Sequence, residues 1–467
     1  MMGSRMSDDL VCISPVDGRE YARRPLHSDV ELDGFITCAR RAQRDWSRVP
    51  LAQRCGIVAR FIDAMETLNP EIVPELAWQM GRPVRYGGEL RSLIERVNGM
   101  LSLAENALAV EVVESDERIR RRISHEPVGL VLVIAPWNFP FLTAANTIIP
   151  ALVAGNAVLL KHAAQTLLAG ERFAQAFQMA GLPDGLFQNL FVSHEQTARL
   201  LASGSMGHAT FTGSVEGGRA IERAAAGSFT NLTLELGGKD PAYVRADADL
   251  SAAVEGLVDG AFYNSGQSCC GVERIYVDEQ VWQPFLDKFV DGVRGYRLGN
   301  PLDPDTSLGP MSSARLAEQV RRQVADAVSA GAKAHIEQHL FPADDPGSAY
   351  LMPQVLTAVH HGMDVMRNES FGPVVGLMPV RTDEEAVRLM NDSPYGLTAS
   401  IWTSDVEVCN RLAPEIEVGT VFANRCDYLD AALAWTGTKD SGRGASLGKY
   451  GYESVTRPKS IHLRTPR

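Results

Sequence analysis

The stretch "VGLVLVIAPWNFPFLTAANTIIPALVAGNAVLLK", residues 128–161, decides the fold of this chain. Its two short apolar runs, 128–136 and 157–161, are typical of strands that are buried on both faces of a parallel sheet. The residues between them predict a helix that ends at Gly155. A strand, a helix and a second strand in this order indicate an α/β domain.

The same stretch is long enough to cross a bilayer, because no charged residue lies between Pro127 and Leu160. Pro136, Pro140 and Pro150 divide it into pieces that suit buried strands and helices of a folded core. We therefore expect no membrane association.

Strands and helices alternate on both sides of a turn at Gly237-Gly238. Before the turn, helices at 168–181 and 195–202 alternate with strands at 186–192 and 208–212. After it, the alternation continues to about Val421. The predicted fold class is α/β, with two doubly wound α/β domains.

Composition limits the possible partners and the compartment. The 467 residues include 57 acidic and 45 basic side chains, and a net charge of -12 offers no general attraction to nucleic acid. The densest basic run, 118–122, follows acidic residues and is interpreted as a solvated or subunit-contacting strand. The seven cysteines are scattered and form no CxxC motif, which predicts free thiols, no metal site and a cytoplasmic location.

Two cysteines stand together in "NSGQSCCGVER", residues 264–274. Free cysteine often packs as a small buried hydrophobe, so Cys269 and Cys270 are either packing residues or include a nucleophile. The stretch alone leaves both interpretations open.

Glu235 lies between two leucines in "LELGGKD", residues 234–240. Apolar surroundings raise the pKa of a carboxyl group and suit it to general-base catalysis near neutral pH. A purely structural role would instead require a partner such as Lys239.

Three further sites have both a functional and a plain interpretation. Asn138, in "PWNFP", either donates to an oxyanion or fixes a turn. Lys161 ends a strand at the sheet edge where nucleotides bind, or is a surface charge. Gly213 and Ser214, in "FTGSVEGG", either open a phosphate-binding helix or form an ordinary connection.

Six motifs together resemble the aldehyde dehydrogenase superfamily. "PWNFP", "FTGS", "ELGGKDP", "NSGQSCCGVERIYV", "NESFGPVV" and "NDSPYGLTASIWT" follow one another in the order and spacing of that family. The resemblance is strong from Asn138 onward and loose over the first hundred residues. It implies NAD(P)-dependent oxidation of an aldehyde to a carboxylic acid.

The resemblance also implies a role for each central residue. Cys269 is the nucleophile that forms a thiohemiacetal, and Asn138 with the backbone N–H of Cys269 forms the oxyanion hole. After hydride transfer to the nicotinamide, Glu235 activates the water that hydrolyses the thioester. Cys270 remains a packing residue or a redox partner.

The implied cofactor is NAD or NADP, with NAD slightly favoured. Many NAD-preferring relatives carry a glutamate where this chain has Ala164, so NADP stays open. The resemblance assigns cofactor contacts to Trp137, Lys161, Gly213, Ser214, Gly237, Glu369 and Phe371.

The implied domain organisation has three parts. Residues 1–108 and 126–238 form a Rossmann-like NAD(P)-binding domain, and residues 239–437 form the catalytic domain. Residues 109–125 and 438–467 form a small β oligomerisation element of a homodimer or homotetramer.

Two segments of the sequence bear on the choice of substrate. The chain departs from many relatives at "AWTGTKDSGRG", residues 434–444, and in the tunnel-shaping loop 424–432. A medium apolar or aromatic aldehyde is preferred. The alternative is an acidic semialdehyde bound by Arg425, since the helix after "PWNFP" carries no arginine.

The sequence disfavours three functions other than aldehyde oxidation with hydrolysis. CoA acylation is disfavoured by Glu235, and a cysteine hydrolase by the absence of histidine from the matched motifs. An idle protein on the same fold is disfavoured by the presence of Cys269, Glu235, Asn138 and Lys161.

Overall fold

The computed structural model describes residues 9–116 and 118–465. The outermost ends of the predicted domains, residues 1–8 and 466–467, and residue 117 lie outside this description. The described chain forms two large α/β units and a small antiparallel sheet, which confirms the predicted fold class.

The first unit is built on a sheet of parallel strands. Leu130–Ile134 and Ala157–Lys161 are adjacent in it and fully buried, and the helix Pro140–Ala154 connects them and ends at Gly155. This confirms the predicted strand, helix and strand. The described strands of this sheet, in spatial order, are Gly442–Arg443, Asn231–Glu235, His208–Thr212, Leu130–Ile134, Ala157–Lys161 and Phe187–Asn189. The short Gly442–Arg443 strand is antiparallel to its neighbour.

Helices share one hydrophobic core with this sheet. Besides Pro140–Ala154 they are Asp29–Trp46, Leu51–Met80, Leu90–Ala107, Leu167–Met179, His194–Ala202, Val215–Ala225 and Gly448–Ser454. A hairpin of Asp9–Ile13 and Glu20–Pro25 precedes them.

The second unit is built on another largely parallel sheet. Its described strands, in spatial order, are Lys333–Ala334, Gln354–Thr357, Val374–Val380, Val272–Asp278, Asp240–Val244, Thr398–Trp402 and Thr420–Ala423. Its helices are Leu250–Phe262, Trp282–Arg294, Ala314–Ser329, Asp364–Arg367, Asp383–Asn391 and Val406–Leu412. The strands Asn231–Glu235 and Asp240–Val244 are close in sequence but lie in different sheets. The chain therefore crosses between the units at residues 236–239.

The small sheet consists of Glu111–Ser115, Ile119–Pro127 and Thr456–Arg464, all antiparallel. The sequence assigned the whole segment 438–467 to an oligomerisation element. The part of this segment before residue 456 lies outside the small sheet. Thr438–Lys439 pairs with Tyr395–Gly396, and Gly442–Arg443 pairs with the first sheet.

The charge-free stretch up to Leu160 is part of the core of the first unit. Its helix has only 15 residues, and nearly all of them are buried against the protein. Across residues 9–116 and 118–465, no helix combines the length and the apolar character needed to cross a membrane.

Candidate active site

The segment before the paired cysteines makes a tight left-handed turn. Asn264 and Ser265 have φ values of 54° and 58°, which are unusual for residues other than glycine. Gly266 follows with a φ of 69°, and a Cβ there would lie 2.3 Å from the carbonyl oxygen of Gly372. The Gln267 side chain braces the turn, donating to the Asn264 carbonyl at 3.0 Å and accepting from the Ser312 N–H at 2.7 Å.

The two cysteines occupy different environments. Both line one cavity, but Cys269 is half-buried, whereas Cys270 is buried and its thiol donates to Asp427 Oδ1 at 2.8 Å. The Ser268 hydroxyl donates to the same oxygen at 3.0 Å. Hydrogen bonding to the Cys269 thiol, burial and the Asp427 carboxylate raise the pKa of Cys270. Cys270 therefore stays a neutral thiol, and a neutral thiol is a poor nucleophile.

Asn138 lies next to this turn. It follows the strand Leu130–Ile134, and its side-chain amide donates to the Gln267 carbonyl at 3.1 Å. The Asn264 amide in turn donates to the Asn138 carbonyl at 3.2 Å. The structure thus brings Asn138 and the cysteine turn together.

Glu235 is buried at the end of its strand. Its carboxylate accepts hydrogen bonds from the Ser446 hydroxyl and, at 3.1 Å, from the Thr212 hydroxyl. Burial raises the pKa of Glu235, while these two hydrogen bonds and the Arg96 charge lower it. Lys239 does not serve as its partner, because it pairs with Glu273 and donates to the Ser370 hydroxyl at 3.0 Å.

Glu235 is not among the residues that line the cavity at Cys269. The segment that follows Glu235 nevertheless contacts the cysteine segment. Three residues after Glu235, a Cβ at Gly238 would lie 2.4 Å from the Cys269 carbonyl oxygen. In this conformation the carboxylate is held by Ser446 and Thr212 beside the cavity.

Three predicted cofactor residues lie at the carboxyl edge of the first sheet. Lys161 is buried, and its amine makes no hydrogen bond or ion pair with any residue that the structure describes. Burial lowers the pKa of this amine. The Ser214 hydroxyl accepts from the Gly217 N–H at 3.2 Å and caps the helix Val215–Ala225, and a Cβ at Gly213 would lie 2.6 Å from the Phe211 ring. A buried cation and a helix N-terminus at the same edge of the sheet suit the ribose and phosphates of a dinucleotide.

The other four predicted cofactor residues form a second group. The Glu369 carboxylate accepts from the Gly238 N–H at 2.9 Å, and a Cβ at Gly237 would lie 2.4 Å from its Oε2. Burial and the nearby Glu273 charge raise the pKa of Glu369 to about 8. The rings of Trp137 and Phe371 pack edge to face, with 5.5 Å between their centres.

The cavity at Cys269 has a volume of ≈ 450 Å³. It lies between the helix Leu90–Ala107, the helix Pro140–Ala154 and the loop 427–432. One part of its lining is apolar and includes Leu103, Phe139, Leu142 and Leu429. Another part is charged and includes Glu95, Arg96, Asp259, Asp427 and Asp430.

Arg96 is a functional candidate that the sequence interpretation missed. Its buried guanidinium donates to Asn146 Oδ1 at 2.6 Å and to the Leu429 carbonyl at 3.2 Å. The sequence did carry a signal, since Arg96 lies on the buried face of its helix with Leu93 and Val97. An arginine on an apolar helix face needs an explanation.

Arg425, the predicted ligand of an acidic substrate, lies elsewhere. Its side chain is exposed, with its guanidinium carbon 3.2 Å from the centre of the Tyr428 ring, and it is not among the lining residues of the cavity. Within the described lining, Arg96 is the guanidinium that reaches the cavity.

Comparisons with known proteins identify one family over nearly the whole chain. The sequence profile of the Aldehyde dehydrogenase family matches residues 3–461. The chain is 32% identical over 455 residues to a probable succinate-semialdehyde dehydrogenase [NADP(+)] of Synechocystis sp., covering 97% of this chain and 99% of that protein. It is 33% identical over 458 residues to the 3,6-anhydro-alpha-L-galactose dehydrogenase of Streptomyces coelicolor, covering 97% and 93%.

A solved structure gives the same result for the fold. An indole-3-acetaldehyde dehydrogenase in complex with NAD+ superimposes with a TM-score of 0.90 at 30% identity, over 99% of this chain and 94% of that one. Because the family profile spans nearly the whole sequence and the fold agrees over the same length, the chain belongs to the aldehyde dehydrogenase family.

Proposed function

We propose that this chain oxidises a medium-sized aldehyde to the carboxylic acid with Cys269 as its nucleophile and NAD or NADP as its cofactor. The observation that carries the proposal is the position of Cys269. It is the more exposed of the two adjacent cysteines that line the cavity, and its turn accepts a hydrogen bond from the Asn138 amide at 3.1 Å.

In the first step the Cys269 thiolate attacks the carbonyl carbon, and the carbonyl oxygen becomes an oxyanion. Asn138 and the backbone N–H of Cys269 donate to that oxygen. An asparagine amide has two N–H donors, and the bond to Gln267 uses one of them. The second N–H is available for the oxyanion.

Glu235 acts after the thioester has formed on Cys269. It takes a proton from the water that attacks the thioester, and this role requires the ionised carboxylate. Ser446 and Thr212 both donate to this carboxylate, and both hydrogen bonds favour the ionised form that the role requires.

The cofactor residues divide between the two ends of the dinucleotide. Lys161, Gly213 and Ser214 bind the adenosine ribose and the pyrophosphate, and Glu369 and Phe371 hold the nicotinamide ribose and ring, with Trp137 and Gly237 beside them. The nicotinamide, when bound, supplies the acceptor for the hydride. The slight preference for NAD over NADP stays a prediction, and the absence of a carboxylate at Ala164 leaves room for a phosphate.

The apolar part of the cavity supports the predicted medium apolar or aromatic aldehyde. An acidic semialdehyde is the second candidate, and the observation that favours it is Arg96. This guanidinium lines the cavity and has no carboxylate within ion-pair distance among the described residues. The related Synechocystis protein is named for such a substrate.

Domain roles and assembly form part of the same proposal. Residues 1–108 and 126–238 bind the cofactor, residues 239–437 carry the catalytic cysteine, and segments within 109–125 and 438–467 join subunits into a homodimer or homotetramer. The exposed side chains of Val112, Val113 and Leu463 on the small sheet support a subunit contact there. Seven free cysteines and a net charge of -12 support a cytoplasmic enzyme without a nucleic-acid partner.

Aliphatic, aromatic and acidic aldehydes, each tested with NAD and with NADP, examine this function directly. Reduction of the nicotinamide is followed at 340 nm, with Cys269→Ser as the inactive control. Turnover with at least one aldehyde and its loss in the variant are expected. Equal turnover by wild type and variant would contradict the role of Cys269.

A further inference from the structure

Arg82 is a fully buried arginine that lies outside every motif singled out in the sequence. It follows Gly81, which ends the helix Leu51–Met80. Its Nη1 donates to Glu89 Oε1 at 2.7 Å, and its Nη2 donates to the backbone carbonyl of Asn138 at 2.5 Å. Its guanidinium carbon also lies 4.9 Å from the centre of the Phe139 ring.

Glu89 extends this contact to the next turn of the chain. Its Oε2 accepts from the backbone N–H groups of Phe141 at 3.0 Å and Leu142 at 2.6 Å. These amides belong to the first turn of the helix Pro140–Ala154, where free N–H groups attract a carboxylate. Arg82 and Glu89 therefore hold the "PWNFP" turn at Asn138 and the chain directly after the turn.

Asn264 connects the same point to the cysteine turn. Its side-chain amide donates to the carbonyls of Asn138 at 3.2 Å and Gln267 at 3.3 Å, and its Oδ1 accepts from Arg82 Nε at 3.4 Å. The Gln267 carbonyl also accepts from the Asn138 side chain. One network thus fixes the backbone of Asn138 and the turn that carries Cys269.

We propose that Arg82 is a positioning residue for the oxyanion hole, holding Asn138 at the distance from the Cys269 N–H that a bound oxyanion requires. The proposal rests on the proposed function for the identity of the two donors. Oxyanion donors act at about 2.7–3.1 Å, and removal of one donor slows the chemical step by about 10²–10³-fold. Displacement of Asn138 by loss of its anchor is expected to give a smaller but clear loss.

An activated ester tests this role without aldehyde or cofactor. With p-nitrophenyl acetate, the Cys269 thiolate attacks the ester carbonyl, p-nitrophenolate leaves, and the acetyl group remains on sulfur as a thioester. This reaction passes through an oxyanion. Alkylation of the same thiolate by iodoacetamide displaces iodide at a saturated carbon and forms no oxyanion.

Arg82→Lys is the test variant, because it keeps the positive charge but loses the fork that reaches Glu89 and Asn138 together. The expected result is a fall of about 10–100-fold in the rate of acetylation, with the rate of alkylation within twofold of wild type. Arg60→Lys is the matched control. Arg60 lies on the helix Leu51–Met80, which precedes Arg82, and donates to the Ala180 and Gly56 carbonyls. None of these residues lines the cavity, and the replacement is expected to change neither rate.

Unchanged acetylation in folded Arg82→Lys, or an equal loss of both reactions, would overturn the proposal. If that variant does not fold, Asn264→Gly decides the question, because glycine accepts the left-handed φ and removes the link to Asn138. Selective loss of acetylation in Asn264→Gly supports the proposal, and unchanged acetylation rejects it. A wild type that is acetylated but oxidises no aldehyde would contradict the proposed function and leave the Arg82 test intact.

Discussion

Replacement of Ser446 by alanine removes the hydroxyl that donates to the Glu235 carboxylate. Glu235 is buried and keeps one other donor from a side chain, the Thr212 hydroxyl at 3.1 Å. The hydrogen bond from Ser446 stabilises the ionised form, so its loss raises the pKa of Glu235 further. Because the base must be ionised to activate water, hydrolysis of the thioester then requires a higher pH.

The size of this effect follows from the kind of bond that is lost. A hydrogen bond to a charged group contributes about 1.5–3 kcal/mol, and 1.36 kcal/mol corresponds to a tenfold change in a protonation equilibrium. The acid limb of the pH profile is therefore expected to move upward by about one to two pH units. At a fixed pH below the limb, hydrolysis falls by about 10–100-fold and recovers as the pH is raised.

The assay is the rate of thioester hydrolysis between pH 5 and 10, measured after a burst of reduced cofactor. The burst itself is expected to be unchanged, since Glu235 acts after it. Ser454→Ala is the matched control on the same C-terminal segment, because its hydroxyl donates only to the nearby Gly451 carbonyl at 2.9 Å. An acid limb at the wild-type position in Ser446→Ala would refute the assignment of Glu235 as the base that this hydroxyl stabilises.

Three further outcomes follow from the structure. Cys270→Ser is expected to keep most of the oxidation rate and Cys269→Ser to lose it, since Asp427 and burial keep the Cys270 thiol neutral; equal losses would reverse the choice of nucleophile. The pKa of Glu369 is raised to about 8 from an ordinary value of about 4.3, so the folded form binds a proton that the unfolded chain has lost. The wild type is then expected to lose stability relative to Glu369→Gln as the pH rises from about 5 to 8. A difference in melting temperature between the two proteins that stays constant over this range would contradict this expectation. If the substrate is an acidic semialdehyde, Arg96→Met is expected to raise its KM at least about tenfold. The KM for an apolar aldehyde is expected to stay within about threefold of the wild-type value. Steady-state kinetics with the two aldehydes distinguish the two candidate substrates.

Local sequence signals predicted the elements that carry the site. Two fully apolar runs around a proline-started, glycine-ended helix predicted the central strands of the first sheet, and these strands are buried as expected. The chain crosses between the two sheets at residues 236–239, where the sequence carries the Gly237-Gly238 turn. The placement of Cys269 and Asn138 depended on the order of six motifs rather than on any one of them.

Contacts between distant segments escaped prediction because no local pattern encodes them. Ser446 and Glu235 are 211 positions apart, and Arg82 and Asn264 are 182 apart, yet each pair is in direct contact. For the same reason the sequence did not predict that Arg425 lies outside the cavity lining. The guanidinium of Arg425 lies over the Tyr428 ring, whereas Arg96, on the helix Leu90–Ala107, lines the cavity.

Cys269 forms the thioester and Glu235 activates the water that hydrolyses it. A single-turnover experiment with Glu235→Gln tests these two roles most directly. The variant is mixed with aldehyde and cofactor, and the reduced nicotinamide and the mass of the cysteine-containing peptide are measured together. The expected result is a burst of about one reduced cofactor per subunit, followed by a stall with an acyl group on Cys269. Undiminished steady turnover, or an acyl group on Cys270, would contradict it.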